Sequence, residues 1–274
     1  MFAKRLSFLS LGAIFFVGIS MGNMAIAETL RIAGTGVALG SMSQIGAAFE
    51  AKRPGITVEV LPSLGSSGGV QALIAGAIDL SVSSRDLKEA EKEQGAQARL
   101  YATTPLAIVT SSKTKAEGMT TEELAQMYSG EITYWPSGQP VRVILRPVSE
   151  TDTKMLSDLS DAVSDAIKAA HERPGLITAT NDQENAEALE RLVGSLGAVA
   201  LGQIATEKRR LKILALDGVT PEAGDRSERA MKFVKNIYIV KTEHPSALAS
   251  EFIEFLFSEE GRSMLVGSDH TPVG

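Results

Sequence analysis

The chain has no cysteine among its 274 residues. Disulfides, thiol nucleophiles and cysteine-bound metals are therefore excluded, as is a lipid anchor on an N-terminal cysteine. Histidines number three and stand isolated, at positions 171, 244 and 270. No HExxH pair and no D-x-D-x-D-G loop occurs, so a metal site has no donor set and no cofactor is expected. Basic residues are outnumbered, 27 Lys+Arg against 33 Asp+Glu. An acidic chain of this kind is a poor partner for nucleic acid or an anionic membrane. Aromatics amount to 5%; Trp135, in Ile132-Thr133-Tyr134-Trp135-Pro136, reads as a packing residue. Internal repeats and low-complexity segments are absent.

The one long apolar run lies at the start. Lys4 and Arg5 precede Leu6–Met21, and Ala25-Ile26-Ala27 supplies a small-x-small cleavage pattern before the polar Glu28-Thr29. Residues 1–27 read as a signal peptide cut after Ala27, against the rival reading of a membrane anchor. Cleavage would remove two basic residues and no acidic one. The expected mature chain is soluble, more acidic still, and free in the periplasm.

From Leu30 onward short apolar runs alternate with helical patterns. Leu30–Ala33, Ile56–Val60 and Ile78–Val82 read as strands. Between them lie a helix carrying Met42, Ile45 and Phe49, and a short one over Gly69–Ala75. This βαβαβ rhythm predicts an α/β fold with a mostly parallel sheet flanked by helices. Asp86–Gln97 reads as a charged, solvated helix, Pro105–Thr110 as a strand, and Thr120 as an N-cap with Glu123 at capping-box spacing. Further strands are expected at Val141–Leu145, Leu211–Leu216 and Asn236–Val240. Helices are expected over Leu156–Ala170 and Ser246–Leu265.

Three strand-to-helix junctions are rich in Gly, Ser and Thr. They are Gly34–Gly40, containing Thr35 and Gly36; Gly65–Gly69, containing Ser66, Ser67 and Gly68; and Arg146–Thr153, containing Thr151, Asp152 and Thr153. Helix N-termini carry unpaired N–H groups and a partial positive charge, so such loops favour an anion. Two sharper readings compete. Gly34-x-Gly36-x-x-x-Gly40 approaches a dinucleotide fingerprint, but its last glycine is one residue late and Glu59 lies inside its strand. Gly65-Ser66-Ser67-Gly68-Gly69 fits a nucleophile elbow, so an exported serine hydrolase using Ser67, Asp217 and His244 or His270 stands as the alternative function. It lacks an oxyanion segment.

Several of these segments resemble the phosphate-binding proteins of ABC transporters. They are Gly65–Val70, Ile74–Leu80, Ser83-Ser84-Arg85, Tyr128–Trp135, Val143–Arg146, and Phe255–Gly261 followed by Thr271-Pro272-Val273. The resemblance implies a two-lobed clamp of the class II binding-protein type, each lobe a mixed, mostly parallel sheet. Lobe 1 would comprise 28–105 and the returning 235–274, and lobe 2 residues 106–234. It also implies a monomer without enzymatic activity, a small oxyanion as ligand with phosphate favoured, and a membrane permease as partner. Ligand contacts are expected from Thr35, Ser66 and Arg146. Two departures bear on the choice of anion. The family's Ser-Gly-Thr after the arginine corresponds to Thr151-Asp152-Thr153, and its acidic ligand after the third strand corresponds to Ser84. Selectivity is then relaxed unless Asp152 or Glu150 takes over the acceptor role; Asp152 is expected to do so, its alternative being a plain N-cap. The same fold could also serve sensing, or hold another solute such as an organic acid.

Overall fold

The computed structural model describes residues 28–225, 227 and 233–274; the expected signal peptide lies outside the described residues. Strand β1 (Glu28–Gly34) leads into helix α1 (Gly36–Lys52), then β2 (Ile56–Val60), α2 (Gly65–Ile74) and β3 (Leu80–Ser83). Strands β2 and β3 pair parallel with β1 on either side, as the βαβαβ rhythm requires. A one-turn helix, α3 (Glu89–Glu93), precedes the longest strand, β4 (Ala96–Ser111). A short β5 (Gly118–Met119), α4 (Thr121–Ser129), β6 (Arg142–Leu145), α5 (Thr151–Ser157), α6 (Asp161–Glu172), β7 (Ile177–Thr178) and α7 (Asp182–Arg191) follow. Next come β8 (Ser195–Ala200), α8 (Leu201–Glu207), β9 (Leu211–Ile213) and β10 (Ala215–Leu216). The chain returns through β11 (Val234–Thr242), α9 (Ala247–Leu256), α10 (Glu259–Val266) and β12 (Thr271–Pro272).

The fold is two-lobed, and β4 belongs to both lobes. Its first part pairs antiparallel with β11, and its last part, from Leu106, with β8 and β9. The strand order β2-β1-β3-β11-β4-β8-β6-β7 is thus one mixed sheet running through both lobes, parallel toward both ends and antiparallel around β4. Each half of it is covered on both faces. Leu30, Ile32, Ile45, Phe49 and Phe252 pack under α1 and α9, while Val70, Leu73 and Ile78 pack under α2. In the other half Leu124, Val163 and Ile167 pack one face, and Ala186, Leu189 and Leu201 the other. With both faces covered, every residue of β3 and β8 is buried, serines included. Among the described residues no helix is long and apolar enough to cross a membrane.

Several local expectations hold. Thr120 accepts from the Glu123 N–H at 3.1 Å while the Glu123 carboxylate accepts from the Thr120 N–H at 2.8 Å. Trp135 is buried and donates its indole N–H to the Gly194 carbonyl at 3.0 Å. Others need correction. Only Glu89–Glu93 of the charged Asp86–Gln97 stretch is helical, because the chain enters β4 at Ala96 and that strand's pairing with β11 outweighs local propensity. Glu91 is not solvated: both its oxygens accept from the Arg85 guanidinium, at 2.7 and 2.9 Å. Those hydrogen bonds hold its carboxyl below the usual range against the opposing effect of burial. The single helices expected over 156–170 and 246–265 are each two, restarting at the N-caps Ser160 and Ser258.

His270 is buried with its ring against Gly202 and Nδ1 near the Ser268 carbonyl, 2.7 Å away. Burial pushes its pKa down, so the folded state holds it neutral. The unfolded chain binds the extra proton first; stability is therefore full above the ordinary histidine range and declines as pH falls below about 6.5. A melting series from pH 7.5 to 5 should show this decline, and His270→Gln should flatten it.

Candidate functional site

The three hydroxyl-rich junctions meet where the lobes face each other. At the end of β1, Gly34 has φ +141°, and a Cβ there would lie 2.0 Å from the Val82 carbonyl oxygen, so only glycine lets β1 turn beside β3. Thr35 follows as the N-cap of α1, yet its hydroxyl makes no capping bond. It faces the interlobe gap instead, 3.5 Å from Ser84 Oγ. Ser66, in the first turn of α2, accepts from the Ser84 N–H at 2.9 Å and lies 3.2 Å from its hydroxyl. From the second lobe, Thr151 Oγ1 comes within 3.5 Å of Ser84 Oγ. Four hydroxyls from both lobes are thereby clustered, and Thr35 and Ser84 are buried.

Arg146 closes the cluster from the end of β6 and is 7% exposed. It donates from Nη1 to the Ala179 carbonyl at 3.2 Å, and from Nη2 to Glu150 Oε2 at 3.1 Å and Asp182 Oδ1 at 3.3 Å. Its Nε is buried with no partner among the described residues. A buried guanidinium N–H left unpaired is costly, and an anion would satisfy it. Thr153 supports the arginine by donating to its carbonyl at 3.1 Å.

The remaining expected residues stand apart. Ser67 is exposed and accepts from Arg85 Nη2 at 3.1 Å, outside the hydroxyl cluster. Gly68 is half-buried in α2, a helix that begins four residues earlier than expected. Asp152 is buried, and its carboxylate is bound by the ammonium of Lys235, itself 2% exposed on β11. Asp152 is not the N-cap, which is Glu150; it lies in the first turn of α5 with Lys235 as its counter-ion.

Asp182, which no motif in the sequence marks, also lies at this junction. It opens α7, and its Oδ2 accepts from the Val37 N–H at 3.2 Å and the Thr35 hydroxyl at 3.4 Å. The carboxylate therefore bridges the N-terminus of α1 in one lobe and Arg146 in the other. Gln183 adds a bond from Nε2 to the Gly36 carbonyl at 3.1 Å. A Cβ on Gly36 would lie 2.8 Å from Asp182 Oδ2 and 2.4 Å from Gln183 Oε1, so this close approach of the lobes requires glycine. The signal missed was Asn181-Asp182, which looks like an ordinary helix start; Asn181 does cap α7, accepting from the Glu184 N–H at 2.9 Å. Lys235 was missed because a lysine in an apolar strand carries no pattern of its own.

A family described as a PBP superfamily domain matches residues 22–260. The chain belongs to that family. It is 27% identical over 209 residues to a protein named phosphate-binding protein PstS from Borreliella burgdorferi, covering 73% of this chain and 75% of the relative. The fold also superposes on a putative phosphate ABC transporter substrate-binding protein with bound phosphate from Clostridium perfringens. The TM-score is 0.75 at 19% identity, over 90% of this chain and 100% of that one. An ABC-type phosphate transport receptor from Vibrio cholerae gives 0.58 at 20% identity, over 89% and 99%. In this PBP superfamily member the alternative hydrolase triad is not assembled. Ser67 meets Arg85, the Asp217 carboxylate accepts from the Thr121 N–H and hydroxyl at 2.7 and 2.8 Å, and His270 is enclosed beside Ser268 and Gly202. Among the described residues no group of His, Cys, Asp or Glu could hold a metal ion.

Proposed function

We propose that this chain is a periplasmic, non-catalytic solute-binding protein that captures a small oxyanion, phosphate before others, for the permease of an ABC transporter. One observation carries the reading: a buried arginine whose Nε has no partner among the described residues is linked through Asp182 to the Thr35 hydroxyl and the first amides of α1. The groups that would hold the anion are Thr35, Ser66, Ser84, Thr151, the first amides of α1, and Arg146. The names of the relatives point to the same ligand.

Lobe 1 comprises 28–105 and 235–274 and lobe 2 comprises 106–234, with hinges where β4 and β11 cross. The anion touches groups of both lobes, so it binds the closed form better and shifts the population toward it. The closed form then docks on the permease as a monomer. Native mass spectrometry should find one phosphate per chain, and titration calorimetry should return one site. A chain that takes up no phosphate in either experiment defeats the reading. A fluorophosphonate probe should leave Ser67 unlabelled. The leader should direct export, so osmotic shock should release a protein that begins at Glu28.

Gly36 offers a check on closure. Gly36→Val would drive Cβ into Asp182 and Gln183 and hold the lobes apart. Its phosphate affinity should fall at least tenfold. Small-angle scattering should show no compaction on adding phosphate, whereas the wild type compacts.

A further inference from the structure

We propose that Asp182 is a latch: it closes the lobes on each other in the absence of an anion, and an arriving anion must displace it from α1. The inference rests on the oxyanion-binding reading above for what competes with the latch.

Four charged side chains are buried at this junction, namely Arg146 and Lys235 against Asp152 and Asp182. Lys235 and Asp152 are bound to each other. Asp182 is then the buried counter-charge of Arg146, with Oδ1 3.3 Å from Nη2. Its other oxygen accepts from the Val37 N–H at 3.2 Å and the Thr35 hydroxyl at 3.4 Å, in the first turn of α1 in the opposite lobe. Those are donors assigned to the anion above, so the carboxylate stands on α1 as an internal anion. Gln183 grips the same turn, donating to the Gly36 carbonyl at 3.1 Å. Glu150 also accepts from Arg146, but it lies four residues along in the same lobe and its side chain is 36% exposed. It cannot tie one lobe to the other.

Closing an empty cleft over Arg146 alone would bury a charge without a partner, which is costly. With Asp182 in place the four buried charges cancel, so the lobes can close with no ligand between them. The latch is nevertheless weak. Its bonds to Val37, Thr35 and Arg146 are all at the long end of the hydrogen-bonding range. The ligand-free chain is therefore divided between open and latched forms. On binding, the anion takes the Val37 amide and the Thr35 hydroxyl, and Asp182 withdraws to Arg146 in its own lobe. The latched form cannot accept the anion, so the apparent Kd is the intrinsic one divided by the unlatched fraction. Removing the latch should tighten binding about twofold if half the chains are latched, and about tenfold if nine-tenths are.

The test is the distance between the lobes. Because the chain has no cysteine, two introduced ones can be labelled alone. Lys92→Cys and Lys168→Cys, exposed positions in lobe 1 and lobe 2, would carry spin labels for double electron–electron resonance. The labelled protein is refolded in phosphate-free buffer, with melting curves to establish folding. Without ligand, the otherwise wild-type chain should contain the distance of the phosphate-saturated protein beside a second, open one. Asp182→Ala should lose the closed distance without ligand and regain it with phosphate. Calorimetry should show phosphate bound more tightly by Asp182→Ala, by the factor that the lost closed share sets. Glu150→Gln should keep the wild-type distances. Four results would overturn the proposal: an open distance alone in the ligand-free wild type, a closed share that survives in folded Asp182→Ala, phosphate binding that is unchanged or weaker there, or loss of the closed share in Glu150→Gln. If Asp182→Ala fails to fold, Asp182→Asn keeps the volume, removes the charge and is read in the same way. A wild type that binds no phosphate would strike the oxyanion reading instead. The latch would then still be decided by whether Asp182→Ala loses one of the ligand-free distances.

Discussion

Arg146→Ala should remove most phosphate binding while leaving a folded protein. The guanidinium is buried and linked through Asp182 to Thr35, and among the described residues its Nε has no partner. Losing a hydrogen bond to a charged group costs about 1.5–3 kcal/mol, roughly a 10- to 150-fold rise in Kd. The real loss should sit at the upper end, because Asp182 would then face the anion without the arginine between them. Arg146→Lys separates charge from geometry. A lysine restores the charge but cannot reach Ala179, Glu150, Asp182 and the ligand from one planar fork, so it should recover only part of the affinity. Calorimetry with phosphate reads both variants, and an Arg146→Ala protein with wild-type affinity would remove the arginine from the site.

Lys235→Met should produce the largest change in stability. Lys235 and Asp152 are both almost fully buried, and each is the other's counter-ion. Breaking such a pair from one side leaves an uncompensated buried charge and costs about 3–5 kcal/mol. For a chain of this size that is a fall in Tm of roughly 6–20 °C. The double variant Lys235→Met/Asp152→Leu should recover much of the loss, since two apolar side chains leave no orphan charge. Burial alone would pull the lysine's pKa down, but the charges of Asp152 and then Asp182 outweigh it and the net shift is upward. A lysine whose folded pKa is raised contributes stability that is full below the ordinary lysine value and disappears as pH climbs through the folded one. The pair's contribution should therefore persist at neutral pH and fade only in strongly alkaline solution. Thermal melts of the three proteins, at neutral pH and above 10, test both statements. Lys235 lies on β11 and Asp152 in the first turn of α5, so the pair joins elements 83 residues apart in the chain.

Part of the candidate site was legible locally. The Gly-Ser-Thr junctions announced helix starts with free amides and small side chains, and the structure brings Thr35, Ser66, Ser84, Arg146 and Thr151 together. Ser67 and Gly68 were named because they share a loop with Ser66, yet successive residues on a helix point in different directions. Ser67 turns outward to Arg85. The charged 86–97 stretch was misread for a related reason. Helix propensity is a weak prior, and the pairing of β4 from Ala96 onward overrides it.

What the amino-acid sequence determined by itself is what short stretches of chain can encode. This covers the βαβαβ start, the capping box at Thr120, the apolar faces of the helices, and the loops whose hydroxyls and glycines suit an oxyanion. What only the tertiary structure decided is the disposition of buried charge. Asp182 meets Thr35 across 147 residues, and Asp152 meets Lys235 across 83. No local pattern marks such pairs, because an acidic residue at a helix start is favourable wherever it occurs. Which acid caps a helix, which neutralises a lysine and which faces the cleft is set by desolvation. Once the lobes close over these side chains, each buried charge must find a counter-charge or a ligand, and the fold determines which one is within reach.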